Sequence, residues 1–121
     1  TEAAGTFDRG GSLPKVPGNV ELHKGWFSDT IPVWKSRHDD PVGFLHMDCD
    51  IYSSTRDVLA LMKDRLRAGT IIKFDEYFNY PNWQRHEFRA WKEFVAEHGV
   101  EYRYIAFTAL HGRVAVEITK I

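Results

Sequence analysis

The sequence predicts an α/β fold whose mostly parallel sheet ends in an antiparallel edge hairpin. Three observations carry this. Two short apolar runs, VGFLHMD and TIIKFDEY, each end in acid and read as buried strands. Each is followed by a segment with helical spacing, long enough for the crossover that parallel neighbours need. The chain then closes with two alternating segments, EYRYIAF and RVAVEI, joined by the turn-like LHG without an intervening helix.

Taken in order, residues 1–19 hold Gly5, Gly10, Gly11, Pro14 and Pro17 and no sustained apolar period, so they read as a loop or entry segment. Residues 20–121 read as the folded unit. Val20 and Leu22 alternate with polar neighbours and predict a first short strand. Strand VGFLHMD follows, expected to be covered on both faces. Ser53 and Ser54 are placed to cap a helix with Val58, Leu59, Met62 and Leu66 on one face, Arg65 and Arg67 near its negative end, and Gly69 as its stop. After TIIKFDEY a second helix runs from an Asn82 cap to Gly99, with Phe88, Trp91 and Val95 inward.

Composition excludes several roles. The chain has 121 residues, 43% hydrophobic and 27% charged, with a formal net charge of -1, so no basic field exists to hold a nucleic-acid backbone. No apolar run reaches the roughly 18 residues that span a bilayer, so no membrane partner is expected. The single cysteine, Cys49, rules out an internal disulfide, and the first residues lack the pattern of a secretory signal, which together predict a cytoplasmic protein.

Ligands in open α/β sheets sit beyond the carboxyl ends of the strands, and that is where the acids fall. One strand finishes in Asp48-Cys49-Asp50, the other in Asp75-Glu76. Neighbouring strands lie about 4.8 Å apart, so these carboxylates repel unless a cation or shared proton intervenes. A hard divalent ion, magnesium or manganese, suits an all-oxygen set of Asp48, Asp75 and Glu76. Asp50, where the chain is expected to turn, is placed to accept a proton from a hydroxyl acidified by that ion. The plainer alternative is that these acids only cap helices or solvate loops.

Other residues carry weaker signals. Tyr77, Phe78, Tyr80 and Trp83 either line an acceptor pocket or pack under a helix start. Among six histidines only His46 lies near the acids, as a residue that would support a metal ligand. Cys49 is expected to face away from the aspartates and pack as a small hydrophobe.

Three blocks in this order, GWFSDTIPVW, FLHMDCDIYSST and RLRAGTIIKFDEYFNYPNW, resemble the C-terminal half of the macrocin O-methyltransferase family, within the class I S-adenosylmethionine-dependent methyltransferases. The resemblance implies the C-terminal half of a Rossmann-like methyltransferase sheet and a magnesium-dependent methyl transfer from S-adenosylmethionine to a hydroxyl of a sugar or natural product. It implies Asp48, Asp75 and Glu76 as metal ligands, Asp50 as general base, and Gly25, Trp26, Phe27 and Ser28 as a wall against the cofactor's adenine. Two positions depart from the family pattern: Glu76 stands where aspartate is usual, and Lys73 where an apolar residue is.

The glycine-rich turn that holds the cofactor in this class has no counterpart, because Gly10 and Gly11 follow no strand and open no helix. The chain is therefore expected to be a catalytically inert half, with an open apolar sheet edge that drives homo-oligomer formation. Two other functions stay open at this level: an Asp-x-Asp glycosyltransferase, and a non-catalytic self-associating module.

Overall fold

A computed structural model of the chain describes residues 8–121. The part of the entry segment before Asp8 lies outside the described residues. The elements are α1 (Phe27–Lys35), β1 (Phe44–Met47), α2 (Tyr52–Met62), β2 (Ile71–Phe74), α3 (Glu87–His98), β3 (Glu101–Thr108) and β4 (Arg113–Lys120), with short 3-10 turns at Lys63–Arg65 and Trp83–Arg85.

The four strands form one sheet in the order β1-β2-β4-β3. β1 and β2 are parallel, with Met47 opposite Phe74, and the crossover α2 joins them. β4 runs antiparallel to both β2 and β3, so the expected edge hairpin is present. The parallel part is the single pair β1/β2, because the strand expected at Val20 and Leu22 does not form. That segment lies exposed, turned by the Val20 N–H donating to the Pro17 carbonyl at 3.0 Å. Alternation is a local signal, whereas a strand needs a partner, and the described residues supply none there.

In its place stands α1, which the sequence reading missed. Its signal is masked by Pro32 and by the β-branched run Thr30, Ile31 and Val33, all unfavourable inside a helix. What holds it is contact with α2. The Lys35 ammonium donates to the Leu61 carbonyl at 2.8 Å, and the Arg65 guanidinium donates to the Lys35 carbonyl at 3.1 Å. Gly25 to Ser28 are therefore a helix start, not the end of a strand.

Both α2 and α3 cover one face of the sheet. Leu59, Met62 and Leu66 meet Met47, Ile72, Phe74, Val116 and Ile118, all buried. Trp91, fully buried at the centre of α3, stacks on Phe94 and meets Tyr102 edge-on at 5.0 Å. The expectation that both strands are covered on two faces is corrected: β1 buries only Met47, and burial alternates along β2. The second face, carrying His46, Lys73, Arg113, Ala115 and Glu117, stays half-exposed for want of a second helical layer among the described residues. β1 is an edge strand, and Phe44 is 60% exposed upon it.

Helix starts also differ from expectation. Ser53 and Ser54 lie inside the first turn of α2, whose cap is the extended Ile51 with no side-chain bond. Asn82 is left-handed, caps nothing, and precedes a 3-10 turn that ends at His86 before α3 begins. Gly99 ends α3 in the left-handed conformation, as its position predicts.

The hairpin turn depends on Gly112. Its carbonyl accepts the amides of Tyr77 and Phe78 at 2.9 and 3.3 Å, which brings the chain so close that an added Cβ would lie 1.9 Å from the Phe78 carbonyl oxygen. Gly112 and Gly99 share a positive φ, 62° and 64°, but nothing lies within 4 Å of a Cβ at Gly99. Gly99→Ala is therefore expected to cost about 1 kcal/mol from backbone strain alone, and Gly112→Ala about 3 kcal/mol or more. Urea unfolding of the two variants side by side measures the difference; equal losses would refute the close-approach argument.

Candidate functional site

The register of β1 against β2 brings the two acidic strand ends together. Asp48 follows Met47 directly and Asp75 follows Phe74, and the Asp75 amide donates to the Met47 carbonyl at 2.9 Å. Asp50 has left the strand: its φ is 63°, and the Ile51 amide closes a three-residue turn onto the Cys49 carbonyl at 2.7 Å. Left-handed aspartate is uncommon and strained, and such residues concentrate at functional sites. The predicted turn at Asp50 is thus present.

The carboxylates sense one another. Burial raises the Asp50 carboxyl above its ordinary range, and the charges of Asp48 and Asp75 raise it further. Glu76 is raised by burial and then by Asp50, Asp75 and Asp48. Asp75 behaves differently. Burial alone pushes it up, but the hydrogen bond from Arg113, the His46 contact and the charges of Arg113 and Lys73 override this and hold it below the usual range.

The geometry of that cluster is explicit. Arg113 Nε donates to Asp75 Oδ1 at 2.9 Å, His46 Nε2 lies 3.4 Å from the same oxygen, and Lys73 Nζ lies 3.5 Å away. Lys73 stands opposite His46 in the strand register, with Nζ 3.3 Å from His46 Nε2. This explains why a lysine occupies a strand: it sits on the half-exposed face and neutralises Asp75. Among the described residues, no three His, Cys, Asp or Glu side chains are closed into a group that grips an ion as they stand. Asp50 and Glu76 are left with raised carboxyls beside their acidic neighbours.

Sequence reasoning missed Glu87. It is fully buried at the first residue of α3, and its Oε2 accepts the Glu76 amide at 2.9 Å. Burial pushes its carboxyl up to about 7, while the amides of Glu76 and Cys49 pull it back and the charges of Glu76 and Asp50 raise it again. Nothing in helical periodicity singles it out, because glutamate in a first turn is ordinary. Cys49 is partly buried, its thiol pushed up to about 11 by burial and then by Glu87, which agrees with a small packed side chain.

Two grooves flank the acids. One, about 450 Å³, lies between α1 and the free edge of β1, and Phe27, Thr30, Ile31, Trp34, Met47 and Asp48 are among its walls. Of the four residues expected to wall an adenine, Phe27 lines it, whereas Trp26 is 80% exposed at the helix cap. The other, about 440 Å³ and apolar, is lined by Tyr77, Phe78, Trp83, Phe88, Tyr104 and Phe107 among others. Tyr80, expected there too, turns away and donates its hydroxyl to the Glu76 carbonyl at 3.0 Å.

Residues 8–108 match the family model of macrocin O-methyltransferase (TylF). The chain belongs to the macrocin O-methyltransferase family. It is 34% identical over 62 residues to demethyldecarbamoylnovobiocin O-methyltransferase of Streptomyces niveus, covering 51% of this chain and 22% of that protein. Among solved structures it resembles the O-methyltransferase NovP, at 27% identity and a TM-score of 0.63, over 79% of this chain and 36% of that one. The apo structure of CalS11, a TDP-rhamnose 3'-O-methyltransferase of calicheamicin biosynthesis, shares the fold at 22% identity and a TM-score of 0.62, over 79% of this chain and 41% of that one. The chain thus spans well under half the length of these relatives.

The titrations predict how this family member responds to pH. A carboxyl raised from the ordinary 4.5 to about 7 binds its proton more tightly when folded, so Glu87 contributes stability fully below about 4.5, lost as pH rises through about 7. Asp50 and Glu76 act in the same sense, and Asp75, being lowered, acts in the opposite one. Urea unfolding is expected to show a loss on the order of 3 kcal/mol from Glu87 between pH 4.5 and pH 8, absent in Glu87→Met. An unchanged pH slope in that variant would remove Glu87 as the cause.

Proposed function

We propose that this polypeptide forms the acceptor-activating half of an S-adenosylmethionine-dependent, divalent-metal-assisted O-methyltransferase acting on a hydroxyl of a sugar or natural-product-like small molecule. The observation that carries the reading is the convergence of Asp48, Asp50, Asp75 and Glu76 at the ends of the paired strands β1 and β2, in a chain of this family. Membership also favours methyl transfer over glycosyl transfer, the other chemistry that an Asp-x-Asp strand end suggests.

Asp48, Asp75 and Glu76 would hold magnesium or manganese, for which Asp75 must exchange its bond to Arg113. When bound, S-adenosylmethionine supplies the methyl group and the cation makes the acceptor hydroxyl easier to deprotonate. Asp50, held off the strand by its turn, with its carboxyl raised by partial burial and by the charges of Asp48 and Asp75, takes the hydroxyl proton. Phe27 and its neighbours in the α1/β1 groove give the cofactor's adenine an apolar wall, with Gly25, Trp26 and Ser28 shaping the helix start beside it. The apolar groove next to Tyr77 suits the non-reacting body of the acceptor.

We further propose that the protein is cytoplasmic and that the free edge of β1 pairs with a second copy when no other strand covers it. Among the described residues no helix is long and apolar enough to cross a membrane. Taken alone, this stretch is proposed to be inactive, since it supplies only part of the cofactor's contacts.

Magnesium is expected to raise the unfolding temperature at pH 8, by the equivalent of about 2.7 kcal/mol at a hundred times its Kd, and Asp48→Asn to abolish the effect. Thermal scans with and without EDTA check this. In a polypeptide that carries this sequence and transfers a labelled methyl group from S-adenosylmethionine, Asp50→Asn is expected to lower kcat by roughly 100- to 10,000-fold. Full transfer in EDTA would overturn the metal-assisted reading, and an undiminished Asp50→Asn rate the assignment of the base.

A further inference from the structure

We infer that Glu87 is a positioning residue: its buried carboxyl ties the acidic end of β2 to α3, and thereby fixes Glu76 relative to the Asp48–Asp50 turn. The inference rests on the metal-site reading above for its functional meaning, and on geometry for its structure.

Glu87 stands in the first turn of α3, where a carboxylate suits the helix N-terminus, but its side chain does not cap that helix. The cap of α3 is His86, with no side-chain bond, and the Glu87 side chain instead reaches eleven residues back along the chain to the Glu76 amide at 2.9 Å. It is fully buried, yet Oε1 completes no hydrogen bond. A buried carboxyl with half its acceptors idle costs far more than an apolar side chain of similar length. Stability alone would place a methionine or leucine here, beside Ala90 and Trp91 in the core. The glutamate is explained by what it holds.

What it holds is the point where the strand ladder stops. β2 ends at Phe74, and beyond it Glu76 is half-buried and feels the like charges of Asp50, Asp75 and Asp48. A residue beyond a ladder's end, repelled by its neighbours, drifts unless its backbone is anchored. The Tyr80 hydroxyl bonds the Glu76 carbonyl at 3.0 Å, and Glu87 bonds its amide, so both backbone polar groups of Glu76 are held by side chains from later in the chain. The Cys49 amide also lies near enough to the Glu87 carboxyl to favour its ionised form, which places the same group against the end of β1.

The test uses two variants of similar length, Glu87→Gln and Glu87→Met, in this chain. Glutamine retains an acceptor for the Glu76 amide; methionine retains only the packing. Amide hydrogen exchange by NMR is expected to show Glu76 losing about 30-fold protection in Glu87→Met and less than about threefold in Glu87→Gln, from one charge-assisted bond. The amides of Ile72 and Phe74 stay as protected as before, and the unfolding temperature of Glu87→Met is unchanged or raised. Unaltered Glu76 protection in Glu87→Met, or uniform acceleration across the sheet, overturns the inference.

Manganese affinity, read by titration of the free ion by EPR, gives the functional arm. Positioning predicts Glu87→Gln within about threefold of the native protein and Glu87→Met at least about tenfold weaker. Equal weakening of both variants assigns the effect to charge and overturns positioning. If the native protein binds no manganese at millimolar concentration, the metal reading fails by itself, and the exchange data alone decide whether Glu87 anchors Glu76.

Discussion

The pairing of β1 with β2 sets where every charged group at the strand ends must lie. With Met47 opposite Phe74, the next residue of each strand is an aspartate, and the Asp75 amide still reaches the Met47 carbonyl. A shift of one residue would turn Ile72 and Phe74 from the helical layer to the half-exposed face, so the apolar core enforces the register. The acids are therefore held together by packing they take no part in. Hydrophobic burial beneath the sheet opposes electrostatic repulsion at its edge.

The repulsion is relieved unequally, and the sheet's two faces explain why. Asp75 shares the half-exposed face with His46, Lys73 and Arg113, whose long side chains cover apolar sheet while bringing positive charge to one carboxylate oxygen. Among the described residues no side-chain cation is paired with Asp50 or Glu76, and both stay raised. Glu87 lies on the opposite side, where helices exclude water, and its charge is opposed by burial itself. One carboxylate is satisfied by side-chain cations, whereas Asp50, Glu76 and Glu87 are raised.

How much of this was legible in the sequence follows from the range of each signal. β1, α2, β2, α3 and the β3/β4 hairpin announce themselves through local period and turn chemistry, and the acids at strand ends are read once the strands are. The failures are non-local. Val20 and Leu22 alternate like a strand but find no ladder, and Phe27–Lys35 carries poor helix formers yet is held by Lys35 and Arg65 bridging to its neighbours. Ser53, Ser54 and Asn82 are good caps by type, but the helices start elsewhere because the chain enters from Asp50 and Asn82 in left-handed conformations. The Arg113 bond to Asp75 and the Glu87 bond to Glu76 join residues far apart in sequence, and no spacing encodes them.

Several features that resist a stability argument are gathered at this edge. A left-handed Asp50, an idle carboxyl oxygen in the core and a cluster of like charges each make the folded state less favourable than simpler residues would. Scattered over the molecule they would be unrelated defects. Gathered at the ends of two paired strands, beside a groove walled by Phe27 and Asp48, they favour the proposed reading, in which charge there is neutralised from outside. On the proposed reading, a wholly apolar or fully ion-paired edge would fold as well but would offer an acceptor hydroxyl no group to take its proton.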